Sequence, residues 1–183
     1  TTSISDGTTS LSYAAIEYLK NNNLREDKKI LLIGVGSFGT NIARNLVHYF
    51  PKCQLTLSNR TSDRAVELGK ETGAQVIDYS TINEQANYYD IVITAVSGLS
   101  SPILTADTGL QKKVIIDLSS PSSVDDEIGD RNVVISDEDL SKIINKTLDK
   151  RNADLPKAHE IISNEIKVFK DWSNFYQKSE SAR

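Results

Sequence analysis

The chain has 183 residues, 38% hydrophobic and 25% charged, which excludes disorder and collagen-like repeats and leaves room for one sizeable core plus an appendage. The 21 Lys and Arg against 25 Asp and Glu give a net charge of −4, which argues against a stand-alone nucleic-acid binder. No apolar run approaches the roughly 18 residues of a membrane span, no signal-peptide pattern opens the chain, and a single cysteine with two histidines makes neither an internal disulfide nor a zinc site.

These features give a reducing, cytoplasmic setting as the default expectation, with no membrane partner and no metal. The chain holds no methionine, even at position 1; removal of an initiator before Thr1 and excision from a longer protein explain that equally well, and the pattern at both ends of the chain favours the second.

Taken in order, the first element is a helix over about Thr8 to Asn22, with Tyr13, Ile16 and Leu19 at helical spacing. From Lys28 the pattern changes. Ile30-Leu31-Leu32-Ile33 is a short continuous apolar run, as expected of a strand buried on both faces. A helix follows from Ser37 to Tyr49, with Ile42, Ala43, Leu46 and Val47 on one side and Pro51 beyond its end. Leu55–Leu57 is the second strand, Arg64–Thr72 a helix stopped by Gly73, and Gln75–Ile77 the third strand. Ile82–Tyr88 is a weak helix, and Ile91–Val96, Val114–Asp117 and Val133–Ile135 are the remaining strands. Strands alternating with helices predict an α/β fold. It is a Rossmann-type, doubly wound, mostly parallel six-stranded sheet with a long C-terminal helix.

That last helix is expected from Asp137 to about Lys178. Leu140, Ile143, Ile144 and Leu148 form one stripe, continued by Leu155, Ile162, Ile166, Phe169, Trp172 and Tyr176. Unbroken, it would reach roughly 60 Å, and Pro156 should kink or divide it. A helix folded back on the sheet and a helix that leaves the domain are both open, and its length favours the second. The chain thus divides into a lead-in helix and linker (1–27), a dinucleotide-binding domain (28–136) and the long helix (137–183).

Gly34-Val35-Gly36-Ser37-Phe38-Gly39 is G-x-G-x-x-G between a strand and a helix, the placement a dinucleotide fingerprint requires. Gly34 makes the tight turn, Gly36 lets a pyrophosphate approach the backbone, and Gly39 lets the helix pack on the sheet. The helix N-terminus supplies N–H groups and partial positive charge. The second strand then selects the cofactor. It ends Ser58-Asn59-Arg60-Thr61, with no acid to bond a ribose 2′-hydroxyl. Arg60 can grip a 2′-phosphate with charge-assisted hydrogen bonds, with Ser58, Asn59 and Thr61 as small polar partners, so NADP(H) is expected over NAD(H).

Thr94, Ala95, Val96 and Ser97 should line the nicotinamide half, with Asp117 to Pro121 as the opposite lip. The same residues suit ordinary connections equally well. Cys53, His48 and His159 receive no catalytic role, and no catalytic residue is assigned within the chain.

These residues together resemble the NADP-binding domain of the glutamyl-tRNA reductases. The resemblance rests on Ser10–Glu17 leading in, Ile30–Gly39, Ser58–Thr61 and Asp90–Ile93 with Ser101-Pro102-Ile103. Asp117–Pro121, Asn132–Leu140 and Trp172 near the end of the long helix complete it. The chain departs from that pattern at Pro121-Ser122-Ser123-Val124-Asp125, which lacks the family's arginine, and at Pro156.

The resemblance implies an NADP-dependent oxidoreductase of tetrapyrrole (porphyrin and haem) synthesis that reduces glutamyl-tRNA to glutamate-1-semialdehyde. It further implies a V-shaped homodimer, a catalytic cysteine in a domain outside this chain, tRNA contacts through such domains, and glutamate-1-semialdehyde aminomutase as a partner. Two other readings stand beside it: the NADP domain of a shikimate-dehydrogenase-like oxidoreductase, and a non-catalytic NADP-binding module.

Overall fold

The computed structural model describes residues 7–22, 27–145, 162–170 and 172–173. The chain divides into two compact units, Thr1–Ile144 and Asn145–Arg183.

In the first unit, α1 (Gly7–Asn21) precedes β1 (Lys29–Ile33), α2 (Ser37–Tyr49), β2 (Gln54–Ser58) and α3 (Ser62–Thr72). Then come β3 (Gln75–Val76), the one-turn α4 (Ile82–Gln85), β4 (Ile91–Thr94), β5 (Val114–Asp117), the one-turn α5 (Asp126–Gly129) and β6 (Val133–Ser136). A further helix, α6, begins at 137 and is described to 145.

The strands form one six-stranded sheet in the order β3-β2-β1-β4-β5-β6. All five pairings are parallel. The order reverses between β1 and β4, and there the chain crosses from one face of the sheet to the other.

Two buried layers sandwich the sheet. On one face Ile30, Leu32, Leu55, Leu57, Ile91, Ile93 and Ile116 pack with Ile16 and Leu19 of α1, Ile42 and Leu46 of α2, Ala65 and Leu68 of α3, and Leu140 of α6. On the other, Leu31, Ile33, Val92 and Ile115 pack with Ile82, Leu104, Leu110 and Ile128. Burial on both faces is why these strands are continuous apolar runs rather than alternating ones. The lead-in helix belongs to the first layer: Ala14 and Ala15 are buried, and the Tyr13 ring meets Tyr49 edge-on at 6.1 Å.

Several boundaries differ from expectation for physical reasons. The fourth strand ends at Thr94 rather than Val96: the Ala95 N–H still donates to the Ile33 carbonyl at 2.8 Å, but β1 turns away at Gly34 and the ladder stops there. The chain still runs extended and bridges Ser97 to Ser120 instead. The stretch expected as one helix over Ile82–Tyr88 is a single α turn between two 3-10 turns, Tyr79–Thr81 and Ala86–Tyr88. The third strand stops at Val76, although the Ile77 N–H still donates to the Leu57 carbonyl at 3.0 Å.

Gly73 ends α3 in the left-handed conformation at φ 73°, as a C-terminal glycine does. Ser136 and Asp139 form a reciprocal cap at the start of α6. The Asp139 N–H donates to Ser136 Oγ at 3.2 Å, and the Ser136 N–H donates to Asp139 Oδ2 at 3.3 Å.

Of the expected tail stripe, Leu140 is buried and Ile143 and Ile144 pack on the same layer. Leu148, Leu155, Pro156 and Tyr176, and with them the expected kink, lie outside the described residues. The second unit is helical over 162–170 and 172–173, with Ile162, Ile166, Phe169 and Trp172 exposed.

Candidate functional site

The site is built where the sheet order reverses, at the carboxyl ends of β1, β2 and β4. Gly34 turns the chain off β1 at φ 92°, and its N–H donates to the Ser58 carbonyl at 2.8 Å, tying the turn to β2. A Cβ at Gly34 would lie 2.5 Å from the Ala95 carbonyl oxygen, so only glycine fits. A Cβ at Gly39 would overlap the Gly34 carbonyl oxygen, which holds α2 close against the turn.

Gly36 differs. Nothing lies within 4 Å of the place its Cβ would occupy, so the backbone there faces open space. As the N-cap of α2 it has no side chain to cap the first turn. The Asn59 side chain braces the cradle: its Oδ1 accepts from the Val35 N–H at 3.1 Å, and its Nδ2 donates to the Thr61 carbonyl at 2.8 Å.

Two clefts flank this cradle. One, of about 390 Å³, is lined by Arg60, Tyr79, Ile82, Asn83 and the loop 98–103. The other, of about 340 Å³, runs from Val35, Gly36 and Ser37 past Thr40 to Arg44, Arg64 and Glu71. Arg60 and Arg64 are exposed, and among the described residues no carboxylate ion-pairs with either. Arg44, by contrast, is held by Glu71 through Nε–Oε1 at 2.6 Å and Nη2–Oε2 at 3.0 Å. Each cleft thus carries an arginine with no ion pair among the described residues, Arg60 in the first and Arg64 in the second, where Glu67 and Glu71 also line the wall. Guanidinium groups near an open helix N-terminus are the donor types that a pyrophosphate with an added phosphate requires.

Arg64 was not singled out from the sequence. Its signal was available: it lies in the first turn of the helix that follows Arg60, and it lines the second cleft while Arg60 lines the first. Tyr79 was also missed. Burial pushes its phenol pKa up, and the nearby Arg60 charge pulls it down, so ring and guanidinium share a wall.

The remaining expected residues separate by where their side chains go. Ser37, Thr61 and Ser97 are exposed, and Ala95 and Val96 are half-buried around the turn. Phe38 and Ala95 pack against the α2 layer, and Val35 is buried. Ser58 and Thr94, expected beside the ligand, are fully buried. β2 and β4 turn them onto the face shared with Ile33, because parallel partners in register point the same way. Ser58 Oγ is buried without a partner, whereas Thr94 Oγ1 donates to Asp117 Oδ1 at 2.7 Å.

Asp117, expected on the lip, is itself 7% exposed. Burial pushes its carboxyl pKa up, but hydrogen bonds from Thr94, Ser122 and the N–H groups of Ser119 and Ser123 outweigh that and hold it below its ordinary value.

Cys53 lies at the opposite, amino end of the strands, in a cavity of about 430 Å³ with Lys29, Gln54, Tyr88 and Tyr89. Burial raises its thiol pKa, which leaves little thiolate. His48 is exposed at the last turn of α2, edge-on to Tyr49 at 4.7 Å, and His159 lies outside the described residues. Among the described residues no three His, Cys, Asp or Glu side chains gather as metal ligands, and no helix is long and apolar enough to cross a membrane.

Comparison with known proteins places these features. Residues 18–143 match the shikimate / quinate 5-dehydrogenase family. The glutamyl-tRNA reductase of Chlorobium luteolum is 38% identical over 187 aligned residues, covering 94% of this chain and 43% of that protein. The chain therefore spans less than half the length of that relative. The structure of a glutamyl-tRNA reductase from Methanopyrus kandleri superposes with a TM-score of 0.76 at 24% identity, over 92% of this chain and 45% of that one. The nucleotide-binding domain of the Thermoplasma volcanium reductase superposes with a TM-score of 0.64 at 24% identity, over 78% of this chain and 96% of that domain. The resemblance carried by the glycine turn, Ser58–Thr61 and the lead-in helix is thus borne out across nearly the whole chain.

Proposed function

The chain belongs to the shikimate / quinate 5-dehydrogenase family, and from that membership we propose that it is the NADP(H)-binding domain of a glutamyl-tRNA reductase. The observation that carries the choice within the family is the extent of likeness. It runs through the lead-in helix and into the tail, beyond residues 18–143.

The cofactor half of the reading rests on the residues. Gly34, Gly36, Ser37 and Gly39 form the pyrophosphate cradle, with Val35 and Phe38 packed behind it. Arg60, Thr61 and Arg64 take the 2′-phosphate, with Asn59 bracing the turn and Ser58 beneath it. Ala95, Val96 and Ser97 border the nicotinamide end, and Thr94 lies below them. An acid in place of Arg60 would repel a 2′-phosphate, whereas an unpaired guanidinium binds one.

When bound, the nicotinamide supplies a hydride to an activated glutamyl carbonyl. The chain's own residues bind and orient the carrier and keep its phosphates neutralised. Cys53, with a raised pKa at the far end of the sheet, does not serve as the nucleophile. Under this reading a thiol from elsewhere in the protein attacks the aminoacyl ester, the enzyme acts as a homodimer on glutamyl-tRNA, and the aldehyde passes to an aminomutase.

The family match also favours a second reading, a dehydrogenase acting on shikimate or a similar hydroxy acid. The full-length protein separates the two. Glutamyl-tRNA should drive NADPH oxidation and aldehyde formation, while shikimate with NADP+ should give no reduction. Turnover of shikimate, or no turnover of glutamyl-tRNA, would overturn the proposal.

A further inference from the structure

Asp117 ends β5 as a nearly buried carboxylate with no cation beside it among the described residues. Its partners are all neutral donors. Oδ1 accepts from Thr94 Oγ1 at 2.7 Å and the Ser119 N–H at 3.0 Å, with Ser123 Oγ at 2.9 Å. Oδ2 accepts from Ser122 Oγ at 2.7 Å and the Ser123 N–H at 2.9 Å. One side chain thereby gathers the end of β4, the end of β5 and the loop after it.

That gathering propagates outward. The Val96 N–H donates to Ser119 Oγ at 3.1 Å, the Ser120 N–H to the Val96 carbonyl at 3.1 Å, and the Gly98 N–H to the Ser120 carbonyl at 3.2 Å. The Ile103 and Leu104 N–H groups both donate to the Ser123 carbonyl, at 2.8 and 2.9 Å. The loops after β4 and β5 are therefore zipped into an extension of the sheet around a single buried charge.

In the proposed cofactor site the phosphorylated ribose lies at β2 and the pyrophosphate at α2. The nicotinamide end then continues across the reversal point, over these two loops. We propose that Asp117 is a positioning residue for the nicotinamide end of the cofactor, acting through Ser119 and the 95–98 segment without touching the cofactor itself. This rests on the NADP(H) reading above. A carboxylate suits the task because it only accepts: every neighbouring hydroxyl and N–H must turn inward. An amide of the same shape brings two hydrogens into that ring of donors and breaks it.

The test uses two ligands, NADPH and adenosine 2′,5′-bisphosphate, which shares the phosphate end and lacks the nicotinamide. Reduced-nicotinamide fluorescence reports the environment of the ring. On the unaltered protein both ligands should bind, and bound NADPH should emit more strongly and at shorter wavelength than free NADPH. Asp117→Asn should leave bisphosphate affinity within about twofold while NADPH weakens about tenfold and loses its emission change.

Equal weakening of both ligands, or wild-type NADPH affinity and emission, would overturn the inference. Should Asp117→Asn not fold, Ser119→Ala removes only the link to Val96 and should show the same split; its absence counts equally against the proposal. If the unaltered protein binds neither ligand, the cofactor reading itself fails, a result distinct from a lost split.

Discussion

Gly36 and Gly39 differ by three positions and have opposite reasons for being glycine. A Cβ at Gly36 enters open space, so Gly36→Val should fold with an unchanged melting temperature yet bind NADPH at least about tenfold more weakly, because the branched side chain fills the phosphate cradle. A Cβ at Gly39 strikes the Gly34 carbonyl, so Gly39→Ala should instead lower the melting temperature, a core overpacking effect of about 1–3 kcal/mol. Thermal melts paired with NADPH titration distinguish the two.

Asp117 makes a pH prediction. Its carboxyl pKa is depressed in the folded state, so its contribution to stability is present above the unfolded value and is lost as pH falls through the folded one. Denaturant midpoints should therefore fall as pH drops below about 4, and Asp117→Asn should be less stable at neutral pH with a flatter profile in that range. A variant as steep as the unaltered protein would contradict this.

At the scale of elements, α6 starts on a reciprocal cap that also closes β6. Ser136→Ala removes the Ser136 Oγ acceptor and should cost about 1 kcal/mol in urea unfolding without changing NADPH affinity. Much of the element order was legible because a sheet covered on both faces writes itself as apolar runs. Ile30–Ile33, Ile91–Ile93 and Val114–Ile116 carry no polar alternation, and Gly34, Gly36 and Gly39 lie between a run and a helix. What was illegible depends on register. Ser58 and Thr94 read as polar strand ends facing a ligand, but the pairing Ile33↔Ser58 and Ile33↔Thr94 turns both inward. The Asp117 network joins residues from 94 to 123 that meet only once β4 and β5 are paired. The one-turn α5 escaped because it is four residues long, although Asp125 capping the Glu127 N–H was its signal.

For the whole molecule, the first unit carries a complete double-sided core and the proposed cofactor site, while the second presents Ile162, Ile166, Phe169 and Trp172 on a separate helical stretch. Binding of the proposed carrier should thus be a property of the first unit. The central proposal is that an open glycine turn beside Arg60 and Arg64, neither ion-paired among the described residues, selects the phosphorylated carrier. Isothermal titration of the chain with NADPH and, separately, NADH examines that claim. One NADPH should bind per chain at least about tenfold more tightly than NADH, and replacing both arginines, Arg60→Gln with Arg64→Gln, should erase the difference. Equal affinity for the two carriers, or a preference that survives the double replacement, would contradict it.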